Sequence, residues 1–312
     1  MQKIYCIGET VYDIIFKNEK PIAAKAGGSM LNSTVSMGKI KLPVHFISEY
    51  GQDDIGNTIN SFLESSNVNT QNVYRHSQGK TSIAIAFLNE QNDARYTFYK
   101  ENPGKRLDIQ LPVLQENDIV LFGSYFSINR DVRKKLLTYL TVARKTGAII
   151  IYDPNFRAAH FKELKDLMPF IIENMKLATL VRGSDEDFQM IFNADNPDSA
   201  FKFVSKYCPL LIYTMNSKGV ILKTPDMDIF QEVPQLKPLS TIGAGDNFNS
   251  GLIFGLVQEN VKEKNISKLN KDQWIKIITH GIQFASDVCM SYDNYISDEF
   301  ASKYANMSRA KG

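Results

Sequence analysis

A chain of 312 residues with 43% hydrophobic and 22% charged side chains can bury about three quarters of the surface its unfolded form exposes, enough for one large α/β domain. Its 36 basic and 34 acidic residues nearly cancel, which excludes a basic footprint for nucleic acid; the densest cluster, Arg133-Lys134-Lys135, lies in a helical pattern and reads as a solvated face. Cys6, Cys208 and Cys289 are odd in number, far apart and without CxxC spacing, as in reduced core residues of a cytoplasmic protein, and His45, His76, His160 and His280 lack metal-ligand spacing.

From the N-terminus, Lys3 to Ile7 is a short apolar strand pattern reached without the basic region, long apolar run and cleavage site of a secretion signal, so a cytoplasmic location is expected. Thr10 to Ala24 is β-prone with period-two patterning and no prompt helix. Val44 to Ser48 is the next buried strand. Thr81 to Tyr99 repeats the β-prone alternation, as in Ser82-Ile83-Ala84-Ile85-Ala86-Phe87 and Arg95-Tyr96-Thr97-Phe98-Tyr99, and the two stretches together fit a small accessory sheet.

Ile119 to Phe122, Ala148 to Tyr152, Thr179 to Val181 and Leu210 to Thr214 are continuous runs of Ile, Val, Leu and aromatics, the pattern of strands covered on both faces. Helical stretches separate them. The clearest, about Asn129 to Thr146, sets Val132, Leu136, Leu140 and Ala143 on one side and stops at Gly147. The apolar helix from about Phe248 to Val257 is too short to span a bilayer, so no membrane association is expected. The alternation predicts a doubly wound, mainly parallel sheet with helices on both faces, and ligands at the carboxyl ends of its strands. No repeat or Pro/Gly/Ser linker divides residues 1–312, so the whole chain reads as a single domain.

Ser240-Thr241-Ile242-Gly243-Ala244-Gly245-Asp246-Asn247-Phe248-Asn249-Ser250-Gly251 carries the most chemistry. Gly243, Ala244 and Gly245 let backbone N–H groups approach an anion where a helix N-terminus adds partial positive charge. A carboxylate beside such an anion hole has two readings: Asp246 caps the first helical turn, or it takes a proton from whatever attacks the phosphate. Two other phosphate signatures fail. Gly79-Lys80-Thr81 mimics the end of a P-loop but has Tyr74 where the first glycine is required, and Phe248 occupies the third-glycine position of a dinucleotide fingerprint.

Gly27-Gly28-Ser29-Met30-Leu31-Asn32, continued through Val44 to Gly56, and the Gly243 to Asp246 loop resemble the N- and C-terminal signatures of the ribokinase (PfkB) family of carbohydrate kinases. Gly8-Glu9-Thr10-Val11-Tyr12-Asp13, Phe98-Tyr99-Lys100-Glu101-Asn102-Pro103-Gly104 and Asp153-Pro154-Asn155-Phe156-Arg157 resemble its fructokinase and 2-keto-3-deoxygluconate kinase branches, in the family's order. The resemblance spans nearly the whole chain and shifts Asp246 from cap to base. It implies a ribokinase-like fold whose accessory sheet, about residues 10–24 and 81–100, is a lid over a sugar. The implied activity is transfer of the ATP γ-phosphoryl group to a primary hydroxyl, with Asp246 as base and Gly243, Ala244 and Gly245 as the anion hole. Fructose leads as acceptor, before 2-keto-3-deoxygluconate, ribose and nucleosides.

By the same resemblance, Asp13 and Asn32 hydrogen-bond sugar hydroxyls, Gly27 and Gly28 let the backbone close on the sugar, and Tyr99, Lys100 and Arg157 complete the acceptor site. Lys100 stands where this branch often has Arg, and a point charge on a flexible stem cannot copy a bidentate fork. Ser184, Asp187, Thr214, Asn216, Gly219 and Ser286 fall on the nucleotide side, with Asp187 placed to meet hydrated Mg²⁺ through water. Departures are Ser184 and Asp187 in the Asn-x-x-Glu motif, Asn216 for a glycine, Ser240 for an Asp, and Asp287 to Tyr295, which bears on the adenine pocket and any K⁺ site. They motivate a competing reading, a sugar-binding protein without turnover. The alternating apolar residues of the lid and the resemblance together imply a homodimer joined through the lids.

Overall fold

The computed structural model describes residues 2–90, 94–101 and 103–309, so Asn102 of the Phe98 to Gly104 stretch lies outside the described residues. In chain order, β1 (Ile4–Ile7), β2 (Val11–Lys17) and β3 (Lys20–Gly27) precede helix α1 (Ser29–Lys39), β4 (Val44–Gly51), α2 (Asp54–Ser65), β5 (Val73–His76), β6 (Ile83–Leu88) and β7 (Ala94–Tyr99). Then follow β8 (Ile119–Gly123), α3 (Arg130–Thr146), β9 (Ile149–Asp153), α4 (Leu164–Leu177), β10 (Leu180–Ser184), α5 (Asp185–Phe192) and α6 (Pro197–Val204). The last elements are β11 (Leu211–Thr214), β12 (Val220–Lys223), β13 (Asp228–Gln231), α7 (Ala244–Gln258), α8 (Lys271–Cys289) and α9 (Asp298–Arg309).

Nine strands form one sheet in the order β13-β12-β11-β10-β9-β8-β1-β4-β5. Neighbours from β5 to β11 are parallel, and β12 and β13 add an antiparallel edge. The continuous apolar runs are explained by burial on both faces: Ile4 and Cys6 enter one core with Met30, Phe248 and Trp274, while Tyr5 and Ile7 enter the other with Leu136, Ile171 and Phe188. Helix α3 is capped by Asn129, stops at left-handed Gly147, and buries Val132, Leu136, Leu140 and Ala143, the face its periodicity predicts. One expectation is corrected there. Arg133 is buried rather than solvated, donating to the Ser127 carbonyl and pairing with Glu173, so only part of the basic cluster faces water.

The accessory sheet has the order β3-β2-β6-β7. Its register aligns Asp13 with Lys25 and Ala84, and Ala84 with Phe98, which puts these four side chains on one face. Lys25 reaches from that face to the main body, donating to the Tyr292 carbonyl (2.7 Å) and to Asn294 Oδ1 (3.0 Å). The opposite face carries Ile83, Ile85, Phe87 and Tyr99. The chain enters this sheet after β1, the first strand of the large sheet, and leaves it from β3 directly into α1.

Candidate active site

Helix α7 starts from Gly243 in a left-handed conformation (φ 81°) with no side-chain cap. The Ala244 N–H donates to the Thr241 carbonyl at 3.3 Å, a long bond across the turn that starts the helix. Gly245 and Asp246 sit in the first turn, whose N–H groups the helix itself leaves without acceptors. Asp246 is buried, and its carboxylate turns away from its own turn: Oδ2 accepts from Asn32 Nδ2 at 2.8 Å, and Oδ1 from Asn155 Nδ2 at 3.3 Å. Ser33 Oγ holds the Asp246 carbonyl at 2.7 Å. A carboxylate oriented by amides from α1 and from the loop after β9 is placed for a task other than capping.

Beneath this turn lies a buried ion pair that sequence reasoning missed. Arg182, on β10, donates from Nη1 to Asp153 Oδ2 at 3.0 Å and from Nη2 to Thr214 Oγ1 at 2.9 Å. Asn249 Nδ2 meets the same Asp153 oxygen at 2.6 Å. Burial pushes the Asp153 carboxyl above its usual range, against the downward pull of Arg182. A Cβ on Gly245 would sit 2.9 Å from Arg182 Nη1 and 3.0 Å from Nη2. A side chain there would displace a guanidinium held by Asp153 and Thr214, a packing reason for glycine beyond the anion approach the sequence suggested. The signal in the sequence was a charged residue directly after the apolar Leu180-Val181.

Among the residues expected at the acceptor, Asp13 is half-buried, with burial pushing its carboxyl up to about 6 against the attraction of Lys25. Burial in turn lowers Lys25, opposed by Asp293 and Asp13. A Cβ on Gly27 would lie 2.1 Å from Asp13 Oδ2, so a larger residue there would push this carboxylate aside. Gly28 (φ 131°) is the residue from which α1 begins. Lys100 lies over the Phe98 ring at 5.1 Å, on the Asp13 face of the small sheet. Tyr99 is on the other face of the small sheet and 59% exposed, while Phe98 shares the face of Asp13. Arg157 is exposed in the loop after β9.

On the opposite side, Ser184 and Asp187 form a reciprocal capping box at the start of α5. Asp187 is buried: Oδ1 accepts from the Phe156 N–H at 2.7 Å, and Oδ2 from the Ser184 N–H at 2.8 Å and its hydroxyl at 2.7 Å. With so many donors on it, the carboxylate fits a metal only as an outer partner through water, and no group of three or more His, Cys, Asp or Glu among the described residues could cage one. Thr214 is tied to Arg182. Asn216 adopts the left-handed φ of 49° that a glycine would supply, before Gly219 at 120°. Ser286 is half-buried on α8. Ser240 Oγ accepts from the Ile242 N–H at 3.2 Å. Three of the departures from the family pattern are thus absorbed without breaking the local turns.

A family model described as pfkB family carbohydrate kinase matches residues 1–268. A fructokinase of Rhizobium leguminosarum bv. trifolii is 25% identical over 268 residues, 84% of this chain and 82% of that protein. An aminoimidazole riboside kinase of Salmonella typhimurium is 22% identical over 264 residues, 83% and 82% of the two chains. In fold, the chain is similar to the crystal structure of Vibrio cholerae fructokinase in its fructose, ADP and calcium ion bound form, with a TM-score of 0.83 at 19% identity over 98% of this chain and 99% of the other. A mostly parallel sheet with helices, a second small sheet and a carboxylate at the first turn of α7 thus coincide with a match across most of the sequence, and the chain belongs to the pfkB family of carbohydrate kinases, phosphotransferases whose acceptor is an alcohol group.

Proposed function

We propose that this kinase transfers the γ-phosphoryl group of ATP to a primary hydroxyl of a small ketose, with fructose as the leading acceptor. The observation that carries the reading is Asp246, buried at the first turn of α7 with both carboxylate oxygens held by side-chain amides. It takes the proton of the attacking hydroxyl, while the first-turn N–H groups of Gly245 and Asp246 and the dipole of α7 stabilise charge on the transferring group. Asp13 accepts hydrogen bonds from sugar hydroxyls, and Lys100 and Arg157 line the outer part of the acceptor cleft. Thr214, Asn216, Gly219 and Ser286 border the nucleotide. Asp187 would meet a hydrated Mg²⁺ through water, and the ion would supply neutralisation of phosphate charge there.

Support for fructose comes from the Rhizobium relative and from the fructose-bound neighbour, both named fructokinase. The free cysteines fit a cytoplasmic setting, and the exposed lid face fits a homodimer. No helix among the described residues is long and apolar enough to cross a membrane. The test is ATP consumption with Mg²⁺ across fructose, 2-keto-3-deoxygluconate, ribose and nucleosides, with and without K⁺. Fructose giving the highest kcat/KM is expected; turnover confined to another acceptor would reassign the substrate. Sugar binding without turnover of any acceptor would replace transfer with sensing.

A further inference from the structure

Asp153, wholly buried at the end of β9, has no direct part in the transfer described above, yet its two oxygens connect both halves of the site. Oδ1 accepts from the Asn155 N–H at 3.1 Å. That bond closes a turn in which Asn155 is left-handed (φ 40°), a conformation most residues avoid and Asn tolerates. The turn aims the Asn155 amide at Asp246 Oδ1 (3.3 Å) and Ser29 Oγ (3.1 Å). The other Asp153 oxygen holds Arg182 and Asn249, and Arg182 fills the space beside Gly245.

The torsion that turns a carboxylate about its last bond has a broad, shallow profile. A single amide, Asn32 on Oδ2, leaves that rotation loose; a second amide on Oδ1 fixes the carboxylate plane. Proton acceptance depends on where the lone pairs point, so fixing the plane affects the chemical step more than substrate binding. The 3.3 Å separation is long for such a bond, as catalytic hydrogen bonds often are before substrate is bound.

We propose that Asn155 is a positioning residue for the base, its amide fixing the rotation of the Asp246 carboxylate, and that Asp153 positions Asn155 by pinning its left-handed turn. The proposal rests on Asp246 being the base. The discriminating variant is Asn155→Gly, because glycine keeps the left-handed turn and deletes only the amide. Measured with ATP and the acceptor turned over fastest in the panel above, it should lower kcat by about tenfold or more while KM for sugar and ATP stays within about threefold. In a chain already carrying Asp246→Asn, the same change should alter kcat by less than about twofold, since a residue acting through the carboxylate has nothing left to position.

Asn155→Asp, which keeps the shape and the tolerance for this backbone but replaces the donor with an acceptor, should fall at least as far. Calorimetric ATP binding checks that each variant is folded. Unchanged kcat in both Asn155 variants, or an equal loss from Asn155→Gly in both backgrounds, would overturn the proposal. Near-normal activity of Asp246→Asn alone would reject the base, and the proposal with it, by a separately readable result.

Discussion

The carboxyl of Asp13 sits at about 6 because burial penalises its charge more than Lys25 relieves it. If the ionised form is what accepts the sugar hydroxyls, about nine tenths of the protein is competent at pH 7 and about one tenth at pH 5, so the apparent Kd for fructose should rise about tenfold over that interval. The same group opposes folding at neutral pH. Its folded value lies above the unfolded one, so the folded chain holds this proton more tightly; the stability this brings is full below about pH 4 and is lost as the pH rises through 6.

A shift of about two pKa units corresponds to about 3 kcal/mol. Asp13→Asn should therefore do two opposite things at pH 7: stabilise the apo protein by up to about 3 kcal/mol, and weaken fructose binding by about ten- to a hundredfold through loss of a charged acceptor. Taking the difference between variant and wild type removes the pH dependence contributed by other buried carboxyls such as Asp153. Calorimetric titration with fructose at pH 5, 6 and 7, with denaturant unfolding of both proteins, reads all of this. A wild-type Kd constant within twofold, or a variant no more stable than wild type at pH 7, would refute the placement of a desolvated carboxylate against the sugar.

Asp246→Asn should keep ATP and sugar binding in calorimetry while kcat falls by about two to four orders of magnitude, and a variant with most of its activity removes the base assignment. Gly245→Ala places a methyl 2.9 Å from Arg182 Nη1, so the guanidinium must move; a stability loss of about 1–3 kcal/mol and at least a tenfold lower kcat are expected, and wild-type melting and turnover would show the space to be dispensable. For assembly, light scattering should find a dimer that Ile85→Glu and Phe87→Glu convert to monomer, since these residues share the lid face turned away from Asp13. A wild-type monomer at micromolar concentration contradicts it, and a dimer indifferent to both changes moves the interface elsewhere.

The large sheet was legible because burial on both faces leaves a compositional mark. Runs such as Ile149-Ile150-Ile151-Tyr152 have no other comfortable place. The antiparallel edge, β12 and β13, left a weaker mark, because short strands with one half-open face mix Lys223, Asp228 and Gln231 into the pattern. The place of Asp246 was legible for a different reason: glycines, carboxylate and helix start are adjacent in sequence, so the turn is local.

What escaped was assembled across strands. The sequence pattern ended β10 at Val181, since an arginine after two apolar residues looks like the edge of the core; the strand runs on to Ser184 because the neighbouring strand brings Asp153 beside Arg182. Neither residue is interpretable alone, and each buried charge is tolerable only with the other. Which of Phe98 and Tyr99 shares a face with Asp13 was hidden for a related reason. Alternation says that Phe98 and Tyr99 face opposite ways, but only the pairing of Ala84 with both Asp13 and Phe98 decides which of them shares a face with Asp13. Function in this fold is read from such pairings. The motif marks the carboxylate, and the strand register determines which neighbours can hold it.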